Sequence, residues 1–262
     1  MHLQTPLLLL AALTTTATAR LTGFERRNVT MTDAVNKRQT SSGGGSWTQT
    51  PQDGGSEQGF GKKTTGGGSG VGYTGNTGDP WGSNIISISE SDAPKYKNVL
   101  QLNGQNKDPW TVVFWNKAGP DGKLDGWYGQ TALQFNLSPG ETKYVAVQDD
   151  SRGGFGAAPG GQLPKDQGGG YASTWGEFDF SSSGNNGWSG YDVSMIQAQS
   201  AGKDVQGMKI CQEPGDKDCS SVSTGGKNAQ NAYSKAQAAA GGIGGNISGG
   251  PVRLGVTIGY EG

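Results

Sequence analysis

The sequence predicts a mainly β protein, an antiparallel β-sandwich with one short helix near the C-terminus. Three observations favour this class. Short runs of β-branched and aromatic residues alternate with polar ones. Turn-forming glycine, proline and asparagine separate these runs at near-regular intervals, as they do in sandwiches. The pattern holds from residue 73 to residue 262, which is long enough for one domain with its own core.

Six segments carry the strand pattern, and turn residues bound each of them. The third contains a hairpin signal, because two alternating runs flank the turn SPGE at 138–141. The segment KNAQNAYSKAQAAAGG at 227–242 is rich in alanine and ends in two glycines, which predicts the helix. In chain order, the strand segments are SNIISISE (83–90), WTVVFWNK (110–117), ALQFNLSPGETKYVAVQD (132–149), EFDF (177–180), YDVSMIQ (191–197) and PVRLGVTIGY (251–260).

The N-terminal part of the chain predicts secretion. Residues 1–19 combine the apolar run LLLLAAL with a small-residue stretch ending ATA, which is typical of a cleaved signal peptide. Dibasic pairs indicate a pro-segment at 20–38, with chance pairs as the alternative. Residues 39–72 predict a flexible Gly/Ser-rich segment, in which Trp47 and Phe60 are candidates for docking on the domain. We therefore expect an extracellular protein, associated with the cell wall, whose folded domain spans 73–262.

Composition excludes several classes of chemistry. The one histidine, His2, lies in the predicted signal peptide, so the mature chain has no imidazole for a Ser-His-Asp site or a histidine metal site. We expect no cofactor and no metal ion. The net charge is -1 and charged residues are sparse, so no basic patch favours nucleic acid. No run after the signal approaches the roughly 18 apolar residues that span a membrane.

Two features indicate covalent modification in a secretory compartment. Cys211 and Cys219 are the two cysteines, and an oxidising environment predicts a disulfide between them. A free reactive pair is the alternative. Asn246 begins the sequence Asn-Ile-Ser, which predicts N-glycosylation.

Two acidic residues on neighbouring strand segments, Glu177 and Asp192, form the candidate catalytic pair. Glycoside hydrolysis needs two carboxyl groups, one protonated and one ionised. Glu177 would be the acid, with its pKa raised by Trp175 and Phe178, and Asp192 would be the nucleophile or base. Two alternatives remain: the acids contact sugar without catalysis, or they form the ordinary polar face of a strand.

Glycine-flanked aromatic residues favour binding over chemistry. Trp127 and Tyr128 lie in GWYG, and Trp188 lies in NNGWSG, where a flat ring in an exposed turn can stack on a sugar. The alternative is that some of these rings fill the core. The predicted carbohydrate contacts are Trp127, Tyr128, Trp175, Glu177, Trp188 and Asp192.

A series of longer motifs resembles the secreted fungal allergen family typified by the Aspergillus allergen Asp f 4. The motifs, in family order, are PWGSNII, KYKNV, DPWTVVFWNKAGPDG, GWYGQTAL, PGETKYVA, LPKDQGGGY, TWGEFDF, GWSGYDVSMIQAQ and VQGMKIC. The resemblance covers the chain from Trp47 to the C-terminus. It implies an extracellular fungal protein that binds human IgE, and it implies no settled biochemical activity.

Two short motifs also resemble thaumatin-like proteins. They are the triplet Gly176-Glu177-Phe178 and the run DVSMIQ at 192–197. In that family the matching acids line a cleft associated with β-1,3-glucan binding and, in some members, weak hydrolysis. Gln197 stands where a third acid is expected, and the dense disulfide plan of the family is absent.

These observations leave three functional hypotheses. The leading one is non-catalytic association with cell-wall β-glucan. The second is an endo-β-1,3-glucan hydrolase that uses Glu177 and Asp192. The third is a protein that displays its surface to partners and has no glycan site.

Overall fold

The computed structural model describes residues 46–262. The predicted signal peptide at 1–19 and pro-segment at 20–38 lie outside these residues. The described chain forms thirteen strands in two sheets and one short α-helix. The mainly β sandwich that the sequence predicts is therefore confirmed.

The strands form a seven-stranded sheet, in the order β1-β5-β2-β13-β9-β10-β11, and a six-stranded sheet, in the order β12-β8-β7-β6-β3-β4. All strand pairs are antiparallel except β2 with β13, which is parallel. The strands are β1 (Ile85–Ile88), β2 (Asn98–Gly104), β3 (Trp110–Asn116), β4 (Leu133–Leu137), β5 (Lys143–Val147), β6 (Ser151–Pro159), β7 (Trp175–Phe180), β8 (Ser189–Ser194), β9 (Met208–Gln212), β10 (Lys217–Val222), β11 (Ala229–Gln230), β12 (Gly245–Ile247) and β13 (Val252–Ile258).

The main core lies between the two sheets. Because strand side chains alternate, each strand sends every second residue into this layer. From the six-stranded sheet come Phe114 and Phe155, whose rings stack with centroids 4.8 Å apart, and Phe178. From the seven-stranded sheet come fully buried aliphatic residues such as Leu100 and Leu254. Burial of these side chains from both sheets holds the sandwich closed.

A second apolar cluster covers the outer face of the six-stranded sheet. Trp115 of β3 and Trp175 of β7 lie in it with ring centroids 5.1 Å apart, and Leu163 and Tyr171 of the loop after β6 pack on them. Strands β7 and β8 are buried at every position. The outer face of these strands is therefore buried although it carries polar residues, because the alternation of side chains does not show whether a face is covered.

The helix forms at a different place from the one predicted. The segment at 227–242 contains β11 and a single 3₁₀ turn at Lys235–Gln237, where Ser234 and Gln237 form a capping box. A short alanine run bounded by glycines is marginal as a helix without tertiary packing. The short helix α1 spans Ile196–Ser200, at the end of a segment that the sequence predicts as strand.

The glycine-rich segment packs on the domain where the structure describes it, from residue 46 onward. Trp47 lies 6.0 Å from Tyr144 and Phe60 lies 5.6 Å from Tyr96, measured between ring centroids on the outer face of the seven-stranded sheet. The buried Arg253 of β13 donates hydrogen bonds to backbone carbonyls of this segment. Residues 66–73 then cross to the six-stranded sheet and reach the candidate site.

Candidate functional site

The two candidate acids lie directly opposite each other on paired strands. Strands β7 and β8 are antiparallel, and their register pairs Glu177 with Asp192. Opposite residues of such a pair point to the same face of the sheet. Phe178 points into the core between the sheets, so both acids lie on the outer face with Trp175. The register of β7 and β8 therefore brings the two candidate acids together on one face of the sheet.

Both carboxyl groups are nevertheless buried. Glu177 is 8% exposed and Asp192 is 2% exposed. Oδ1 of Asp192 is buried without a hydrogen-bond partner. The other charged groups of this face are Lys117, which follows β3 directly, Arg152 of β6 and Asp179 of β7, all of which are also buried.

Burial changes the protonation of the pair. It raises the pKa of Glu177 to about 7, and the nearby positive charge of Lys117 opposes the shift. Burial also raises the pKa of Asp192 well above its ordinary value, and the negative charge of Glu177 adds to that effect. Two adjacent carboxylates in a dry site cannot both ionise at low cost, so the pair retains a proton near neutral pH.

The two buried cations hold a backbone strap above this face. Arg152 forms an ion pair with Asp179 at 2.6 Å and donates to the carbonyl of Gly70 at 2.9 Å. Lys117 donates to the carbonyl of Val71, and burial lowers the pKa of Lys117 to about 8. The strap, a single 3₁₀ turn at Gly70–Gly72, is therefore fixed through its carbonyl groups rather than through apolar side chains.

A small pocket opens beside the strap. Its volume is about 40 Å³. Glu177 reaches the pocket, whereas Asp192 is not part of its wall. A Cβ atom on Gly154 would lie 3.1 Å from the ring of Trp115, so the glycine leaves room for that indole against the sheet. The wall consists of Val71, Trp115, Lys117, Leu124, Trp127, Gly153, Gly154, Trp175 and Glu177.

The mouth of this pocket gathers most of the exposed apolar surface. Four large apolar side chains of the described residues are strongly exposed. Val71 and Leu124 belong to the pocket wall, and Tyr128 lies against Trp127 with ring centroids 3.9 Å apart. The fourth, Trp188, is 45% exposed and does not line the pocket. We refer to Val71, Leu124 and Tyr128 as the rim.

Comparison with known proteins places the chain in a family. The profile described as Allergen Asp f 4-like domain matches residues 83–258. The chain belongs to this family. The protein named Allergen Asp f 4, from Aspergillus fumigatus, is 55% identical over 216 residues, which cover 82% of this chain and 67% of that protein. This chain is therefore an allergen-type protein.

A solved structure, the protein elicitor MoHrip2 from Magnaporthe oryzae, shows a weak similarity. It aligns with 62% of the Asp f 4-like chain and 99% of its own, at 13% identity and a TM-score of 0.35. A likeness this distant carries no argument about fold or function.

The predicted carbohydrate contacts of the Asp f 4-like domain occupy three different settings. Trp127, Trp175 and Glu177 line the pocket, and Tyr128 stands at its rim. Asp192 lies behind Glu177 in the sheet, away from the pocket. Trp188 is exposed outside the pocket.

Sequence reasoning missed Lys117, Leu124 and the strap residue Val71. A signal existed for Lys117, because it follows Trp115 at the strand period and therefore shares its face. No local signal identifies Val71, since it reaches the site from a glycine-rich segment that is distant in sequence from the strands of the site. Its position at the site depends on the hydrogen bonds that Arg152 and Lys117 donate to carbonyl groups of the strap.

The residues predicted to be modified do not line the pocket. Cys211 and Cys219 form the predicted disulfide between β9 and β10. Both sulfurs are bonded to each other, so the cluster of these cysteines with Asp216 offers no thiolate to a metal ion. Asn246 is exposed on β12, an edge strand. Within 46–262 no helix has the length and apolarity needed to cross a membrane.

Proposed function

We propose that this protein is secreted and associates non-catalytically with cell-wall β-glucan through the rim and the pocket. The observation that carries the proposal is the clustering of exposed apolar side chains around an indole-lined pocket that ends at a carboxyl group. Tyr128 offers an exposed ring on which a pyranose can stack, and Trp127 packs against that ring. The short motifs that resemble thaumatin-like proteins support the same ligand class.

The polarity of the site fits a neutral sugar. Small-molecule sites are mostly apolar, with a few polar groups that fix orientation. Here the polar side chains of the pocket wall are Glu177 and Lys117. Their opposite charges, or the neutral forms that burial favours, leave no excess charge that would attract an ionic ligand.

Hydrolysis by Glu177 and Asp192 is the second candidate. One observation favours it: the two carboxyls oppose each other, and the raised pKa of Glu177 suits a general acid. A glycosidase pair must flank the scissile bond. Glu177 and Asp192 are instead neighbours on one side of the site, and Asp192 does not reach the pocket. Binding without hydrolysis is therefore the better-supported function.

A pull-down on insoluble β-1,3-glucan, chitin and cellulose tests the proposal, with soluble sugar measured in the same tubes. The expected result is retention on β-1,3-glucan without release of soluble sugar. Tyr128→Ala should reduce retention, because it removes the exposed stacking ring. Trp188→Ala is the matched control: it removes an exposed aromatic outside the pocket and should leave retention unchanged.

The outcomes separate the three hypotheses. Release of soluble sugar would show that the protein hydrolyses glucan, and hydrolysis would then replace non-catalytic binding as the proposed function. No retention on any of the polymers would reject the glycan site and leave a protein that only displays its surface. Equal losses for Tyr128→Ala and Trp188→Ala would move the binding surface away from the pocket.

Family membership also supports host IgE as a partner. We infer that sera reactive to Allergen Asp f 4 contain IgE that binds this chain, because 55% identity preserves much of a shared surface. An immunoassay with folded protein and with protein denatured after reduction tests this inference. Absence of IgE binding to both forms would reject it.

A further inference from the structure

The pocket is too small for a sugar ring. Its volume is about 40 Å³. Pockets that enclose whole small molecules measure about 300–1,000 Å³. The pocket is therefore suited to a side arm of a ligand rather than to the whole ligand.

The depth of the pocket has unused hydrogen-bonding capacity. Within residues 46–262, the carboxyl of Glu177 makes no hydrogen bond, and the indoles of Trp115, Trp127 and Trp175 surround the space in front of it. Because Glu177 belongs to the pocket wall, its carboxyl group is open to a hydrogen bond from a ligand atom. Lys117, at the same wall, already donates to the strap. Glu177 is thus the group left to bind an entering ligand atom.

We propose that the pocket binds the hydroxymethyl arm of a hexopyranose unit, with its hydroxyl at Glu177 and its ring on Tyr128 outside. The inference rests on the proposed function and adds a specificity to it. The CH₂ group of the arm contacts the indoles, and the hydroxyl completes the hydrogen bonding of the carboxyl. The site then selects glucans with a free 6-hydroxyl and rejects pentose polymers, which have no such arm.

Other small arms fit less well. The carboxylate of a uronic acid would lose its hydration in a pocket whose cation, Lys117, already donates to the strap, which is unfavourable. The methyl group of a 6-deoxy sugar would fill the space but leave the carboxyl of Glu177 unpaired. A site that hydrogen-bonds a hydroxyl discriminates strongly against analogues that lack it, since its own polar group loses its partner.

Calorimetric titration with two matched oligosaccharides tests the proposal. A β-1,3-linked hexasaccharide of glucose and one of xylose share linkage and length and differ in the hydroxymethyl arm. The expected result is binding of the glucose oligomer at least about tenfold tighter, the ratio set by one unpaired buried polar group. Glucose oligomers oxidised to uronic acid should bind as weakly as the xylose oligomer.

Two variants assign this discrimination to the pocket. Glu177→Met keeps the length of the side chain but removes hydrogen bonding, and it should bring the two oligomers to similar affinity. Glu177→Gln retains a donor and an acceptor and should preserve the preference for glucose. Val71→Trp enlarges an exposed rim residue and so closes the mouth of the pocket. It should selectively weaken binding of the glucose oligomer.

The results that would overturn this inference differ from those that would overturn the proposed function. Retention on glucan polymer with equal affinity for the two hexasaccharides would overturn the hydroxymethyl site alone. Preference for glucose that survives Glu177→Met would overturn it as well. Absence of binding to any form of glucan would overturn the proposed function and this inference together.

Discussion

Glu177 and Asp192 face each other across two hydrogen-bonded strands, with both carboxyl groups buried and neither bonded to another side chain of residues 46–262. Burial favours the neutral form of each acid, and the charge of one disfavours ionisation of the other. The pair is therefore costly to ionise, and the stability of the fold depends on its protonation.

Stability should fall as pH rises through the range in which the pair ionises. The pKa of Glu177 rises from an ordinary 4.5 to about 7 in the folded protein. Between these values the folded chain binds more protons than the unfolded chain, so the free energy of unfolding decreases with pH. The decrease should total about 3 kcal/mol for Glu177. Urea unfolding at pH 5 and at pH 7.5 measures the larger part of this decrease.

Asp192→Asn tests whether the buried acid pair causes this decrease of the free energy of unfolding with pH. The variant removes a titrating carboxyl group whose pKa is raised well above its ordinary value in the folded protein, so it should flatten the decrease between pH 5 and pH 7.5 and raise stability at the higher pH. The exposed Asp108→Asn is the control and should leave the slope unchanged. A wild-type slope that Asp192→Asn does not alter would contradict the assignment to this pair.

The ion pair between Arg152 and Asp179 should be costly to break. Its atoms are 2.6 Å apart, and both side chains are at most 4% exposed. Arg152→Met or Asp179→Asn leaves the partner buried without compensation, which typically costs about 3–5 kcal/mol. The double variant should recover part of that loss. Denaturant unfolding of all four proteins measures the coupling, and additive losses would show that the pair is not coupled.

Arg253→Lys should release the segment that docks on the seven-stranded sheet. Nε of Arg253 donates to the carbonyl of Trp47 at 3.0 Å, and Nη2 donates to the carbonyl of Gln49 at 2.6 Å. Lysine has fewer hydrogen-bond donors than arginine and lacks its planar guanidinium group. Some backbone carbonyls therefore lose their hydrogen-bond partners, which lowers stability by at least about 1 kcal/mol. Limited proteolysis should then cut near residues 47–60 sooner. Lys107→Met, at an exposed cation, is the control and should not change the cleavage rate.

Removal of the disulfide should have a modest effect. Cys211 and Cys219 close a loop with a sequence separation of 8, for which the chain-entropy estimate gives roughly 2–3 kcal/mol. Replacing both cysteines by serine should lower the free energy of unfolding by that amount. The wild-type protein should resist thiol labelling without denaturant. Rapid labelling of both cysteines would contradict the bond.

Charge removal at Glu177 and Asp192 should distinguish binding from hydrolysis. Glu177→Gln and Asp192→Asn keep size and hydrogen-bonding ability, so retention on glucan should survive with at most a modest loss. Any sugar release measured with the wild-type protein should disappear in both variants. Sugar release that persists in both would show that these carboxyls do not catalyse it.

The sequence determined the elements whose signals are local. Period two placed Glu177 and Phe178 on opposite faces of one strand, and the same period set the face of Asp192. The two cysteines predicted their bond, and the long motifs predicted the family. These results depend on neighbours within a few residues, which the sequence displays directly.

The tertiary structure alone decided which face is covered and where the helix forms. Loops and the strap carrying Val71 cover the outer face of the six-stranded sheet, so acids expected in an open cleft are buried and their pKa values rise. The alanine-rich segment at 227–242 lacks the packing that would stabilise a helix, whereas Ile196–Ser200 acquires it after β8. Burial and helix stability both depend on contacts between residues distant in sequence, and a pattern of near neighbours does not encode them.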